Sequence, residues 1–419
     1  MNKPFWSQRI PTARFVEKIH DLRDKVTLGC DLIPTTGFPF GRASRGATPV
    51  IRRRRQYARR QIRKRWPILV RPFALLAMCV AWPFGCVVEI RQILNDFPEV
   101  SADRARNRVF LTVLFSCLRY NKSPREVIQY HLHCARDPCP DAWIADHEIS
   151  VLLAVFSDGR ARSFANNKVI FARFCKSIDL PHIPTVAHWR AGMEIYCDVT
   201  GWGRTVVTKP VAANNARGLE VWSLKDGFYR NGDLVLRPAE LGAHCRSLSL
   251  LWGEVLLQQY LQLHDTLVER GLSGMPTVRL TTGRMPQGDV VVLDAYFSAP
   301  LPGRIASNDG IGPYWSVDLE TGCLSATDTL FLPKWTGQQA IDGLQLPDWQ
   351  HAVAAVLKGH SRFPGTVAIL GWDVAFTENG PILIEVNTGI SFGFEQAIRG
   401  KPAGNSQIGA VLDAWILET

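Results

Sequence analysis

The sequence predicts an α+β protein, in which a basic, mostly helical N-terminal region leads into a larger domain built on antiparallel strands. Three observations carry this reading. The charge is one-sided: residues 1–65 hold 17 Lys and Arg against four acids, in a chain whose net charge is +10. Helical apolar patterning follows, as in RVFLTVLFSCLRY (108–120 with Arg108 at its head). Beyond about residue 150 the texture changes to short apolar runs such as RTVVTKPV, EVLLQQYL, TVRLTTG, DVVVLDAYF, TVAILGWDVAF and PILIEVN, separated by Gly and Pro turns.

Taken in order, the chain divides into a basic segment (1–65), a helical and membrane-associated or buried region (66–150), a mixed domain (151–405) and a tail (406–419). At 419 residues and 46% hydrophobic content it is long enough for two or three packed domains. IRRRRQYARRQIRKRW (51–66) carries nine basic residues and no acid, and reads as an electrostatic handle. It abuts WPILVRPFALLAMCVAWPFGCVV (66–88), and a basic run beside an apolar run is the pattern of an inner-leaflet anchor. The stretch Pro72–Val88 has only 17 residues and contains Pro83, against about 20 for a bilayer span. Three readings stay open there: contact with an anionic membrane, as a hairpin, an interfacial helix or a true span; a buried helical pair; or nucleic-acid binding by the Arg run. Ser123-Pro124-Arg125-Glu126 begins a further helix, with serine as cap and proline in the first turn.

Ten cysteines lie without regular spacing and no secretory signal opens the chain, so free thiols and a cytoplasmic location, peripheral on the inner face of the membrane, are expected. His131, His133, Cys134 and Cys139 are the nearest approach to a zinc set, but lack a second paired set. No internal repeat occurs.

The chemistry concentrates between Thr366 and Asn387. Two strand-like runs flank Glu378-Asn379-Gly380, which suits a three-residue hairpin loop with Gly380 in the left-handed position. If Thr377 pairs with Pro381, Asp373 faces Glu385 and Asn387 follows on the same face. Facing carboxylates repel unless a cation lies between them, and three oxygen donors suit Mg2+. A two-residue Asn379-Gly380 turn would instead send the acids to opposite faces.

GWDVAFTENGPILIEVNTG resembles the metal-binding end of the ATP-grasp superfamily, in which an Asp on one strand and Glu-x-Asn on the next hold magnesium. Other pieces stand in the family's order. Lys168 in ANNKVIFARFC looks like the lysine that opens the first nucleotide-binding subdomain, and Lys209 in RTVVTKPV like the second phosphate lysine. VAANNARGLEVW takes the place of the glycine-rich phosphate loop but keeps only Gly218, with Ala213, Asn214 and Asn215 where glycines are usual. EVLLQQYLQLHD resembles the adenine hinge, with Gln258, Gln259, Tyr260 and Leu261 as the hinge and Asp265 as a ribose ligand. GMPTVRLTT resembles the strand on which related ligases place an arginine near the transferred phosphoryl group, which makes Arg279 the catalytic candidate.

The combination looks most like the sugar-transfer-associated ATP-grasp proteins, relatives of the α-L-glutamate ligases, over roughly residues 125–400. D-alanine ligases fit less well, since they carry an arginine where this chain has Gly371. The resemblance implies the ATP-grasp fold, two α/β subdomains clamping ATP, with ATP and Mg2+ (two ions, or Mn2+ in substitution) as cofactors. It further implies ligation of a small-molecule or glycan carboxylate to an amine through an acyl-phosphate, in cell-surface polysaccharide or sugar-conjugate synthesis. The rival outcomes are a kinase of the same fold acting on a sugar or lipid hydroxyl, and a membrane-attached partner that binds ATP without turning it over. No dedicated nucleophile is needed, because positioning and charge stabilisation supply most of the catalysis in phosphoryl transfer.

Overall fold

The computed structural model describes residues 46–419 except 65–66, 102–104, 135–138, 166, 212–217, 302–303, 305–311 and 328–340. The chain separates into two compact units: residues 1–152 with 329–333 and 391–416, and residues 153–328 with 334–390 and 417–419. Residues 391–416 lie in the first of these units.

The first unit is helical. Helix α1 (Pro49–Lys64) buries Ile51, Ala58 and Ile62, and with them Arg54 and Arg55. These two arginines are internal struts. Arg54 Nε and Nη2 reach the Asp413 carboxylate at 2.8 and 2.5 Å, and Nη2 also donates to the Gly404 carbonyl at 3.1 Å. Arg55 pairs with Asp141 and, at 3.1 Å, with Glu148. Burial alone would raise the Glu148 carboxyl, but Arg55 and its cationic neighbours bring it down to about 2. The handle read from the sequence is therefore confined to the remaining basic residues, of which Arg52, Arg53, Arg60, Arg63 and Lys64 are exposed.

Helix α2 (Arg71–Asp96) runs unbroken through Pro83, so no hairpin forms there. It is the one helix among the described residues long and apolar enough to cross a membrane by length and composition. Its C-terminal half buries Cys86, Ile90, Ile93 and Leu94 against Val109, Val113 and Cys117 of α3 (Arg106–Tyr120) and Val127 and Ile128 of α4 (Pro124–Gln129). Helix α4 starts as expected, with Ser123 and Glu126 forming a capping box. The cysteines among the described residues are free. His131 and His133 stack 6.5 Å apart, and no group of three or more His, Cys, Asp or Glu placed to hold a metal ion occurs among the described residues.

The second unit holds two antiparallel sheets. The first is seven-stranded, in the order β2-β1-β7-β3-β4-β5-β6. Its strands are β1 (Thr185–Arg190), β2 (Met193–Cys197), β3 (Thr205–Pro210), β4 (Glu220–Lys225), β5 (Phe228–Asn231), β6 (Leu234–Leu236) and β7 (Glu254–Gln259). Trp189, Trp222, Leu241 and Leu257 form its core. The second is six-stranded, in the order β11-β10-β9-β8-β12-β13. It comprises β8 (Thr277–Arg284), β9 (Val290–Ser298), β10 (Tyr314–Val317), β11 (Leu324–Ala326), β12 (Ile369–Thr377) and β13 (Gly380–Asn387). Its buried face packs on the helix Trp349–Ser361 through Trp349, Ala352, Val356, Trp372, Val374, Leu383 and Val386.

Candidate functional site

The site grows from one hairpin. In β12, Trp372 and Val374 belong to the core, and strand alternation therefore turns Asp373 to the other face. In β13, Leu383 and Val386 are both core residues although three apart, a spacing that strict alternation forbids. A β-bulge resolves it. The hairpin turns on two residues, Glu378 and Asn379, with Thr377 paired to Gly380 and Val374 to Leu383. That register would set Asp373 opposite Ile384. The pairing shifts between Val374 and Asp373, Ile384 is passed over, and Asp373 faces Glu385, with Trp372 opposite Val386 and Gly371 opposite Asn387. The expected three-residue loop is thus corrected to a two-residue one. Gly380 has the positive φ of 93° but stands at the head of β13.

Around this pair three cations converge. Arg279 lies opposite Asp373 across β8 and β12. It donates from Nε to Oδ1 at 2.5 Å and from Nη2 to Oδ2 at 3.2 Å. Lys209, at the end of β3, brings Nζ to 3.7 Å from Glu385 Oε2. Lys168 opens the helix α5 (Lys168–Ser177), whose N-terminus Asn167 caps by accepting from Val169 and Ile170 N–H. Its Nζ stands 4.0 Å from Glu385 Oε2 and donates to the Val211 carbonyl at 3.0 Å. Asn387 Nδ2 is 3.5 Å from Glu385 Oε1. Burial would raise the Glu385 carboxyl; Lys209, Lys168, Asp373 and Arg279 outweigh it and bring the group down to about 2. Burial lowers the Lys168 ammonium, which Glu385 partly restores and Lys209 opposes.

Three cations against two carboxylates leave the cluster one positive charge in excess, which suits polyphosphate. The two carboxylates and the amide oxygen of Asn387 are hard donors of the kind Mg2+ takes, usually alongside phosphate oxygens. The residues present fit both groups, with one condition: a metal at Asp373 competes with Arg279 for the same oxygens.

Gly218 has φ +69°, and a Cβ there would meet Pro210 Cγ at 2.8 Å and Trp252 at 3.1 Å; Ala213, Asn214 and Asn215 fall outside the described residues. In the hinge, Gln258 and Gln259 pair with Val207 and Val206 of β3. Their side chains donate to Thr185 Oγ1 (3.3 Å) and the Gly201 carbonyl (3.0 Å). Tyr260 N–H donates to the Thr205 carbonyl at 3.2 Å, and Leu261 follows half-buried. Asp265 is exposed, its N–H held by Glu378 Oε1 at 2.5 Å. That places it at the hairpin tip, beside a residue five positions along the chain from Asp373.

One contributor escaped sequence reasoning. A Cβ on Gly371 would lie 3.1 Å from Arg279 Cδ and 3.0 Å from Ile390 Cδ1, so the missing side chain is the space in which Arg279 lies. The glycine was visible, but its partner stands 92 positions away in sequence and only the β8–β12 register reveals it.

Comparison with curated proteins finds no match. Among solved structures, the chain is similar to the D-alanine–D-alanine ligase of Bacillus anthracis crystallised with ATP, at 14% identity over 63% of this chain and 68% of that one, TM-score 0.35. It is also similar to the N5-carboxyaminoimidazole synthetase of Staphylococcus aureus, at 10% identity over 64% and 58%, TM-score 0.38. The family model described as sugar-transfer associated ATP-grasp matches residues 155–407, more than half of the chain and all of the site, and the protein belongs to that ATP-grasp family.

Proposed function

We propose that this protein is an ATP- and Mg2+-dependent ligase that joins a carboxylate to an amine through an acyl-phosphate, working on a cell-surface polysaccharide or sugar conjugate at the inner face of the membrane. The observation that supports it is the convergence of Asp373, Glu385 and Asn387 with Lys168, Lys209 and Arg279 on one sheet face. In this reading Lys168 and Lys209 bind the phosphates of ATP, and Asp373, Glu385 and Asn387 hold Mg2+. Bound there, the metal neutralises phosphate oxygens and orients the γ-phosphoryl group. A substrate carboxylate oxygen attacks the γ-phosphorus and ADP departs. Arg279 stabilises the charge that develops on the transferred phosphoryl group. The amine nitrogen then attacks the acyl carbon, loses a proton, and inorganic phosphate leaves.

The test is ATP turnover by the full chain with panels of carboxylates and amines, following ADP, phosphate and the amide product. Asp373→Asn and Glu385→Gln should abolish turnover and weaken calorimetric Mg·ADP binding while the fold persists. A stable phosphorylated hydroxyl with no ligation would make the protein a kinase, and unchanged Mg·ADP binding in both variants would sink the metal assignment.

A further inference from the structure

Helix α2 presents an apolar stripe that stays exposed among the described residues. Phe73, Leu76, Val80 and Phe84 recur every three to four residues and are 73, 67, 70 and 69% exposed, and Ile68 and Leu69 extend the stripe toward α1. Large apolar side chains gathered on one face of a soluble unit mark an interaction surface. The charge beside it selects the partner. Residues 51–88 hold no acid, and of their ten Lys and Arg only Arg54 and Arg55 are neutralised by the internal pairs described above. Arg63 and Lys64 are exposed on the last turn of α1, with Arg60 exposed one turn before, where the chain leads into the stripe. Two copies pressed together here would oppose like charges, whereas an anionic lipid surface attracts each basic residue and accepts the apolar side chains.

The connectivity also decides how the helix meets lipid. Helix α1 is locked into the unit through Arg54 to Asp413 and Gly404, and Arg55 to Asp141 and Glu148. The far end of α2 is locked through Cys86, Ile90, Ile93 and Leu94. Both ends therefore stay on one side. Only residues 65–70 join α1 to α2, and seven peptide steps reach at most about 25 Å, short of the roughly 30 Å hydrocarbon core. We infer that α2 lies in the plane of an anionic membrane, dipping Phe73, Leu76, Val80 and Phe84 into one leaflet with Arg60, Arg63 and Lys64 at the headgroups, and does not cross it. This deepens the membrane contact proposed above and is independent of the ATP chemistry.

Sedimentation of the full chain, without nucleotide, with phosphatidylcholine vesicles with and without phosphatidylglycerol tests it. Binding should require phosphatidylglycerol. Replacing Phe73 and Phe84 together by Ser should weaken it by about 100-fold. The triple variant Arg60→Ala, Arg63→Ala, Lys64→Ala should weaken it by a similar factor at low salt, and the wild-type affinity should fall as salt rises. Leu250→Ser with Leu251→Ser, an exposed apolar pair in the other unit, should leave binding unchanged. Four outcomes would overturn the proposal: no preference for anionic vesicles, no effect of the Phe73 and Phe84 substitutions, protease protection showing α1 and α3 on opposite faces of sealed vesicles, or a solution dimer that those substitutions dissolve. ATP turnover without vesicles reads the other proposal separately, so either can fail alone.

Discussion

Arg279→Met isolates the competition between guanidinium and metal for Asp373. The substitution keeps most of the side-chain volume over Gly371 and removes the charge. With contacts of 2.5 and 3.2 Å in a largely buried pair, the attraction at an effective dielectric of about 20 is about 7 kcal/mol before desolvation is deducted. Breaking such a pair from one side costs about 3–5 kcal/mol, which should appear as lost stability in urea unfolding without metal. The freed carboxylate should then take Mg2+ more readily. The surrendered bond is a charge-assisted one worth about 1.5–3 kcal/mol, so calorimetry should find Mg·ADP bound about 10- to 100-fold more tightly, and saturating Mg·ADP should restore more stability to the variant than it adds to the wild type. Turnover should nevertheless fall by about 100- to 1000-fold, as expected when a donor to developing charge is removed. If Mg·ADP affinity fell in parallel with turnover, Arg279 would be a structural partner of Asp373 with no metal to compete against.

Gly371→Ala should crowd Arg279 Cδ and Ile390, costing about 1–3 kcal/mol of stability, with kcat falling more than nucleotide affinity; equal stability of variant and wild type in urea would refute the clearance role. Because the Glu385 carboxyl in the folded chain sits at about 2, below its value of about 4.3 when unfolded, its contribution to stability is present above about pH 4.5 and is lost as pH falls toward 2. Glu385→Gln should accordingly flatten that part of the acid-unfolding curve. Arg55→Met should cost about 3–5 kcal/mol by stranding Asp141 and Glu148, while Arg53→Ala, on the exposed side of the same helix, should change thermal stability little.

How much was legible depended on how local the cause was. Asp373, Glu385 and Asn387 sit within fifteen residues, and alternation about Trp372 and Val374 points to the outer face with no knowledge of the rest of the fold. The turn misled, because Gly380 does take the left-handed conformation that a three-residue loop requires, yet takes it as the first residue of the strand. The bulge left one mark in the sequence, the odd spacing of Leu383 and Val386. Long-range partners left none: nothing near IRRRRQYARR shows that Arg55 meets Asp141, 86 positions on, or that Arg54 meets Asp413, 359 positions on. Pro83 reads locally as a break, since it forfeits a hydrogen bond and crowds the preceding turn; α2 nonetheless continues through it, its C-terminal half held by the core formed with α3 and α4.

The supernumerary Ile384 makes the interval between the acids a soft constraint. A shortened chain lacking that one residue would carry the glutamate a step nearer the tip, still across from Asp373 and still turned outward, so two hairpin lengths deliver one arrangement. Counting residues between carboxylates is then a poor way to recognise sites of this kind. The parity of the apolar side chains on either side of each acid, which fixes the direction it faces, is the better guide.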